Sequence, residues 1–516
     1  MKRFATIWLM LLLAALLPTS GAFAQQTTAS LGGTVVDENG EPLPGANVVA
    51  VHEPTGTQYG TATNEEGRYT ILNMRVGGPY TIEASFVGYQ RERETDVMLQ
   101  LGQRRTVDFR LETEAAELEG VEVVARRSEV ISRNRTGASR NVSQEEIDRL
   151  PTISRSLTDF TRLVPQSGGG NSLAGRNARY NKIQIDGATL DDVFGLGEAV
   201  PGSQAGAQPV SLDAIQEFNV NVAPYDVRAS GFTGGQINAI TKSGSNAFEG
   251  SVRYLGRNES FTGDLDGAGM GEFQEQFFVG TLGGPIVEDK LFFFVSGEFR
   301  RQSAPLDTRA GALGPNTFQI DDEILADAGY NSTEALLSDI QDIAQNQYGY
   351  DPGGIDPFSQ RQDNEKFLAK LDWNVSADHR LTVRHNYVNA RDDAGISRSR
   401  NSFGFGNRQY IFRSRQNSST VQLNSTLGDD LFNEARIVYT RIRDERDVQD
   451  RAFPETVFNF DEQSAFMGID RFSQANRLDQ DLVEITNDLT WARDDHTLTF
   501  GTNNEFGRFS SSSIQR

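Results

Sequence analysis

The sequence predicts a mainly β protein: a small N-terminal β-sandwich, a mixed α/β unit, and then an incomplete antiparallel transmembrane β-barrel. Three observations carry that prediction. The chain opens on an export signal. Hydrophobic residues make up only 37% of 516 residues while glycine numbers 50, too polar for membrane helices but suited to a barrel, where only alternate residues of each strand face lipid. From Phe248 onward, alternating segments of roughly ten residues are joined by short turns and long connections in turn. A chain of this length implies two or three units.

Lys2 and Arg3 form a basic start, residues 4–17 are mostly apolar, Pro18 breaks the run, and Ala22-Phe23-Ala24 is a small-x-small cleavage pattern with Gln25 as the new N-terminus. A membrane anchor would need about 20 apolar residues, more than this run supplies. There is no cysteine, which removes disulfides, thiolate metal sites, lipidation and cysteine nucleophiles together. Net charge is −22; losing Lys2 and Arg3 with the signal leaves 47 basic against 71 acidic residues, or −24. Such acidity speaks against nucleic-acid binding, which needs basic contacts to phosphate.

Residues 27–113 form the predicted sandwich. Asp37-Glu38-Asn39-Gly40 and Pro42-Leu43-Pro44-Gly45 carry turn chemistry. Tyr80, Ile82, Ala84 and Phe86 alternate with Thr81, Glu83 and Ser85, giving one buried and one wet face. Gly33-Thr34-Val35-Val36-Asp37, Pro42-Leu43-Pro44-Gly45-Ala46, Asn64-Glu65-Glu66-Gly67-Arg68-Tyr69 and Ser85-Phe86-Val87-Gly88-Tyr89 together resemble the carboxypeptidase regulatory-like domain. The resemblance implies an accessory module in the periplasm, not a peptidase. The four histidines (His52, His379, His385, His496) fall in no zinc-ligand spacing. No catalytic residue, cofactor or metal is expected.

Residues 114–247 are the second unit. An acidic link leads to Val121, Glu122, Val123, Val124 and Ala125, a short segment that resembles a TonB box. Such a segment acts by adding an extended strand to a sheet edge of its partner. Ser143-Gln144-Glu145-Glu146 is a capping box that starts a short helix. Residues 154–163 suggest a second helix, apolar at Leu157, Phe160 and Leu163, stopped by Pro165. Residues 180–185 alternate into a strand that ends on the tight turn Asp186-Gly187. Residues 168–170 and 201–208 suggest mobile loops. Ser211-Leu212-Asp213-Ala214-Ile215-Gln216-Glu217-Phe218 reads as a short helix leading into a strand. Gly234-Gly235-Gln236-Ile237-Asn238-Ala239-Ile240-Thr241 reads as a closing strand, whose glycine pair permits close backbone approach.

In this order, these segments resemble the plug domain of TonB-dependent outer-membrane receptors, with Asp186, Gly187, Gly234, Gly235 and Asn238 as its motif residues. The resemblance implies a mixed α/β plug, a TonB-type periplasmic energy-coupling protein as partner, and an extracellular ligand still unidentified. Residues 221–231 depart from the siderophore type. With Gln184-Ile185-Asp186-Gly187-Ala188, they resemble the Oar-like branch, which puts iron-chelate uptake in doubt.

Residues 248–516 supply the barrel strands, whose outer face meets outer-membrane lipid. Phe367, Ala369, Leu371, Trp373 and Val375 should face lipid, opposite Lys366, Lys370, Asp372 and Asn374. Leu291, Phe293, Val295 and Phe299 oppose Ser296, Glu298 and Arg300. Val483, Ile485, Leu489 and Trp491 oppose Glu484, Thr486, Asp488 and Thr490. Short turns fall at 287–289, 377–379, 428–430 and 493–495. Long connections fall at 301–365, 392–416 and 444–480. About nine strands are expected, ending near Arg508, against about 22 in plugged transporters, so the sequence reads as a fragment. In the longest connection Leu336, Leu337, Ile340 and Ile343 mark an amphipathic helix. The glycines at 267–271 and the acids Asp264, Asp266 and Glu272 read as solvated loop. The function this implies is energy-coupled passage of a substrate through a plugged barrel. The alternative is an Oar-like outer-membrane protein for adhesion, signalling or export.

Overall fold

The computed structural model describes residues 27–113, 138–150, 152, 155–168, 172–190, 200, 202–222, 226–229, 231–261, 272–305, 318–355, 359–428, 430–448, 453–493 and 496–512. Strands dominate. Among the described residues no helix is long and apolar enough to cross a membrane.

The first unit packs two small sheets. Strands β1 (Ala29–Asp37), β4 (Arg68–Met74), β7 (Arg104–Thr106) and β8 (Phe109–Leu111) form one, with β4 antiparallel and β7 and β8 parallel to β1. Strands β3 (Thr57–Ala62), β2 (Asn47–His52), β5 (Gly77–Ser85) and β6 (Glu92–Leu99) form the other, in that order. The alternation in β5 places Tyr80, Ile82 and Ala84 inside, against Leu31, Val48, Ile71 and Leu99. Asp37 fixes the first turn by accepting the N–H groups of Asn39 and Glu41, each at 2.8 Å, while Gly40 takes the positive φ of 88° that the turn requires.

The second unit is a five-stranded sheet, β9 (Ala138–Ser143), β10 (Lys182–Ile185), β11 (Ala188–Thr189), β12 (Ile215–Val222) and β13 (Gly235–Thr241), in the order β11-β10-β13-β12-β9. Helix α1 (Gln144–Arg149) opens on the full reciprocal capping box of Ser143 and Glu146. The expected second helix is a 3-10 segment, Leu157–Leu163, preceded by Arg155 at φ 50° and followed by Pro165. Phe160 meets Phe218 edge-on, ring centroids 5.4 Å apart, at the centre of this unit's core. The stretch expected as a loop at 201–208 is tighter than that. Its 3-10 turn Ser203–Ala205 buries Ala205 and Ala207 against Val388, Ala390 and Phe412. Small side chains allow that close fit.

The third unit is one antiparallel sheet of nine strands: β14 (Glu249–Asn258), β15 (Gln274–Val287), β16 (Leu291–Pro305), β17 (Ser359–Asn374), β18 (His379–Ala394), β20 (Tyr410–Thr426), β21 (Leu431–Val448), β24 (Arg477–Arg493) and β25 (His496–Ser512). It is open, with β14 and β25 at its edges. The predicted outward residues Phe367, Leu371, Trp373, Ile485 and Trp491 are exposed, and Lys366, Lys370, Asp372, Glu484 and Asp488 are buried on the inner face.

Two expectations are corrected. The strands run to as many as 18 residues, not roughly ten, because they continue past the apolar band. There, cross-strand ion pairs such as Arg301–Glu365 at 2.5 Å and Arg443–Asp481 at 2.8 Å take over from packing. The inner face is also less polar than expected. Phe292, Phe294 and Leu368 are buried there, and the last two join the core of the second unit.

The shortened long connections fold together. Strands β19 (Ser402–Gly404), β22 (Thr456–Phe460) and β23 (Gln463–Met467) make a small sheet, β19-β23-β22. With α2 (Asp322–Asp327) and α3 (Thr333–Tyr348) it encloses Phe403, Phe405, Leu336, Leu337 and Met467. Ile340 packs at the margin of this cluster, while Ile343 is exposed.

Candidate functional site: the seam between the second unit and the strand wall

The seam begins at the Asp186-Gly187 turn. Asp186 and Gly187 both adopt positive φ, 47° and 73°, which closes the β10–β11 hairpin. A Cβ at Gly187 would lie 2.1 Å from a guanidinium nitrogen of Arg436, so glycine is demanded by space as well as by conformation. The Asp186 carboxylate accepts the backbone N–H of Thr241 at 2.9 Å and its hydroxyl at 2.7 Å. From the wall, Arg384 reaches it at 3.0 Å and Lys370 at 3.9 Å. Arg384 also donates to the Ile185 carbonyl at 2.6 Å, and Lys370 to the Thr241 carbonyl at 3.1 Å. Burial alone would raise the Asp186 pKa. Lys370 and Arg384, helped by Thr241, outweigh it and hold the carboxyl below its ordinary value.

Further contacts extend the seam. Ser211 donates to Glu298 at 2.6 Å, and Glu298 pairs with Lys366 at 2.5 Å. Asn386 donates to the Pro209 carbonyl at 2.7 Å, and Glu484 accepts the N–H of Thr189 at 3.2 Å. The contact mixes these polar groups with two apolar patches, Phe294 and Leu368 against the second unit's core, and Ala205 and Ala207 against Val388, Ala390 and Phe412.

Gly234 and Gly235 lie at the other end of β13 from Asp186. Asn181 accepts the Gly235 N–H at 3.0 Å, and a Cβ on Gly234 would stand 2.3 Å from that same Asn181 oxygen. Asn238 sits mid-strand, in register with Gln184 on one side and Asn219 on the other, and Asn219 pairs in turn with Asn141. This row of four buried amides across the sheet escaped the sequence reading, as did Arg384 and Arg436. The signal was present: Asn and Gln alternate with Ile, Phe and Val in β10, β12 and β13. The box candidates Val121, Glu122, Val123, Val124 and Ala125, and the cleavage pair Ala24 and Gln25, lie outside the described residues. So do the glycines at 267–271 and Asp264 and Asp266.

The sandwich sits at the short-turn end and touches both other units. Arg75 pairs with Asp372 at 3.5 Å, Arg380 donates to the Tyr59 hydroxyl at 2.7 Å, and Asn374 donates to Thr57 at 3.0 Å. Gln216 donates to the Val76 carbonyl at 2.9 Å, and Glu217 accepts the Leu101 N–H at 3.0 Å. Burial pushes the Glu217 carboxyl upward, against the pull of Leu101 and Asn141. A cavity of about 560 Å³ separates the three units, lined by His52, Arg75, Asp186, Lys242, Lys370 and Arg380 among others. Burial first, then Arg75 and Arg380, lower the His52 imidazole to about 3. It is therefore neutral at ordinary pH and bonded to Thr55 at 2.7 Å. Among the described residues no three acids or histidines converge as metal ligands.

Known protein families match segments of this chain. The carboxypeptidase regulatory-like domain family matches residues 30–112, and the outer membrane beta barrel domain family matches residues 240–515. The TonB-dependent transporter Oar of Myxococcus xanthus is 28% identical over 401 residues, covering 72% of this chain and 34% of that protein. The TonB-dependent receptor SusC of Bacteroides thetaiotaomicron is 30% identical over 263 residues, 48% of this chain and 24% of that protein. The chain thus spans about a third of one curated relative and a quarter of the other. Among solved structures, the siderophore receptor PirA from Acinetobacter baumannii aligns at 14% identity over 72% of this chain and 48% of that one, with a TM-score of 0.48. At that level the likeness assigns neither ligand nor closure. By its barrel match the chain belongs to the outer membrane beta barrel domain family, with a carboxypeptidase regulatory-like domain ahead of its barrel, and the relatives it resembles are TonB-dependent transporters and receptors.

Proposed function

We propose that the chain is the N-terminal part of an energy-coupled transporter. In this reading residues 1–24 are a signal cleaved between Ala24 and Gln25, 27–113 a periplasmic sandwich, 114–247 the box region and plug, and 248 onward the barrel wall. The long connections face outward and receive the ligand. The observation that carries the reading is the polar seam of Asp186 with Arg384, Lys370 and Thr241. A plug that must be remodelled is better held by hydrogen bonds and ion pairs, which water can replace, than by a large dry interface. Val121, Glu122, Val123, Val124 and Ala125 would add as a strand to a TonB-type periplasmic protein. Ligand binding would shift plug states only through a difference in affinity between them.

The test uses the full chain in cells. A photo-crosslinking residue placed at Val123, or at Leu118 just ahead of it, should capture the energy-coupling protein, and deletion of residues 119–125 should abolish capture by the Leu118 crosslinker while membrane insertion persists. Undiminished capture after the deletion would sink the box assignment.

A further inference from the structure

Three wall strands meet the sandwich along one row of residues. Register places Asn374 of β17 opposite Arg380 of β18, and Arg380 opposite Asn424 of β20. Paired strands lie about 4.8 Å apart, so the backbones of this row span about 10 Å. Arg75, which follows β4 of the sandwich, lies over the first of them, donating to Asn374 at 3.4 Å and pairing with Asp372 at 3.5 Å. Arg75, Arg380 and Asn424 all line the cavity of about 560 Å³ between the three units. That volume is in the range of pockets that hold small molecules.

The two buried acids of the lining are already answered by the protein. Asp186 is met by Thr241, Arg384 and Lys370, and Asp372 pairs with Arg75 and accepts the Thr382 hydroxyl at 2.8 Å. The unmet groups are donors. Arg75 Nε and Asn424 Nδ2 are buried with no hydrogen-bond partner among the described residues, although the two side chains belong to residues only 9% and 4% exposed. Asn424 Oδ1, by contrast, accepts from Gln422 at 3.0 Å. Arg380 directs its guanidinium to neutral acceptors, the Tyr59 hydroxyl at 2.7 Å and the Asn73 carbonyl at 3.4 Å, and forms no ion pair with a described residue. Around the whole cavity the basic residues Arg75, Lys242, Lys370 and Arg380 outnumber the acids Asp186, Asp372 and Glu249, in a chain whose net charge is −22. Buried donors without partners are costly, and a wall whose spare groups are all donors selects a ligand that only accepts. Guanidinium groups favour carboxylate and phosphate. A phosphate presents three strong acceptor oxygens and a carboxylate two, so three separate donor groups match the phosphate better.

We infer that this cavity binds the phosphate of a small phosphorylated solute through Arg75, Arg380 and Asn424, the remaining space out to Lys242 receiving the body of the solute. Because sandwich, second unit and wall each line the cavity, an occupant that needs all three stabilises their assembly by mass action. The site depends neither on the box assignment nor on the energy-coupling reading, which the Val123 crosslink tests separately.

The test is equilibrium dialysis of the full chain, in zwitterionic detergent, against glucose 6-phosphate, with glucuronate and glucose as its carboxylate and neutral counterparts. The expected result is one saturable site per chain for the phosphate ester, at least about tenfold weaker binding of glucuronate, and none of glucose. Asn424→Leu should weaken binding about tenfold, the loss expected of one hydrogen bond to a charged group. It leaves the hydrogen bonds of Arg75 and Arg380 in place, so that loss is not detachment of the sandwich. Arg380→Gln should weaken binding at least as much and Arg380→Lys should restore most of it. Arg415→Gln, an exposed arginine nearer the other end of β20, should change nothing. Inorganic phosphate should compete, equally if the free anion is the ligand and more weakly if a phosphate ester fills the cavity. Absence of saturable binding by the parent chain would overturn the site. So would glucuronate binding as tightly as glucose 6-phosphate, or unaltered binding in both Asn424→Leu and Arg380→Gln.

Discussion

The sandwich and the five-stranded sheet of the second unit, the proposed plug, are both small β units, yet their interiors are built in opposite ways. The sandwich closes two sheets over an almost wholly apolar core of Leu31, Val48, Tyr80, Ile82 and Leu99. The plug sheet has one apolar face around Phe160 and Phe218, and a second face carrying the buried amides of Asn141, Asn219, Asn238 and Gln184. Of those, Gln184 Nε2 and Asn219 Oδ1 have no hydrogen-bond partner among the described residues. Dry cores hold because apolar burial needs no particular partner. A polar face costs free energy wherever a group is unmet, so its position depends on what stands opposite. The difference is between a unit whose core is closed mainly by its own two sheets and one whose placement is dictated by the wall.

The sharpest way to break this contrast is Arg384→Met. It leaves Asp186 buried with only the more distant Lys370 as counter-charge, and removing one partner of a buried pair costs about 3–5 kcal/mol. Urea titration followed by protease cleavage of the plug should show that loss, with the sandwich unaffected. Ile82→Ala should do the reverse, destabilising the sandwich by about 2–5 kcal/mol through loss of packing while the plug's cleavage midpoint stays put. Next comes pH. Because the folded pKa of Asp186 is depressed, its contribution is present above the unfolded value of about 3.9 and is lost as pH falls through the lower folded value. Plug protection should therefore fall at the acid end, and Asp186→Asn should flatten that limb. Gly187→Ala adds a side chain at positive φ and against Arg436, for about 1–3 kcal/mol. At the bottom of the scale, Arg301→Gln breaks only a half-exposed pair with Glu365 and should change the melting free energy by no more than about 1 kcal/mol.

The architecture was legible in the sequence because the period-2 pattern is strong wherever one face meets lipid or core. Phe367, Leu371 and Trp373 against Lys366, Lys370 and Asp372 is such a case. The Ser143 capping box and the Asp186-Gly187 turn were legible for a different reason: each is settled by local backbone chemistry. What could not be read was tertiary. The run Leu291-Phe292-Phe293-Phe294-Val295 is apolar on both faces, which signals burial on both sides, yet nothing local says what covers the inner face. Arg384 sits in an ordinary alternating strand, and its partner Asp186 lies far back in the chain. The strand ends were misjudged because beyond the apolar band both faces are polar and the period vanishes, while Arg443 and Asp481 continue the ladder by charge.

The contacts that seat the plug and sandwich have a consequence for how the chain matures. Arg384 reaches the Ile185 carbonyl across 199 residues of sequence, and Thr27 donates to Glu434 across 407. Neither bond can form until the distant wall strands have been translated, exported and paired. Closing such long loops before any contact rewards them is slow, and the waiting segment exposes unpaired strand edges prone to aggregation. The charged turn at Asp186-Gly187 is thus among the last parts of the molecule to settle.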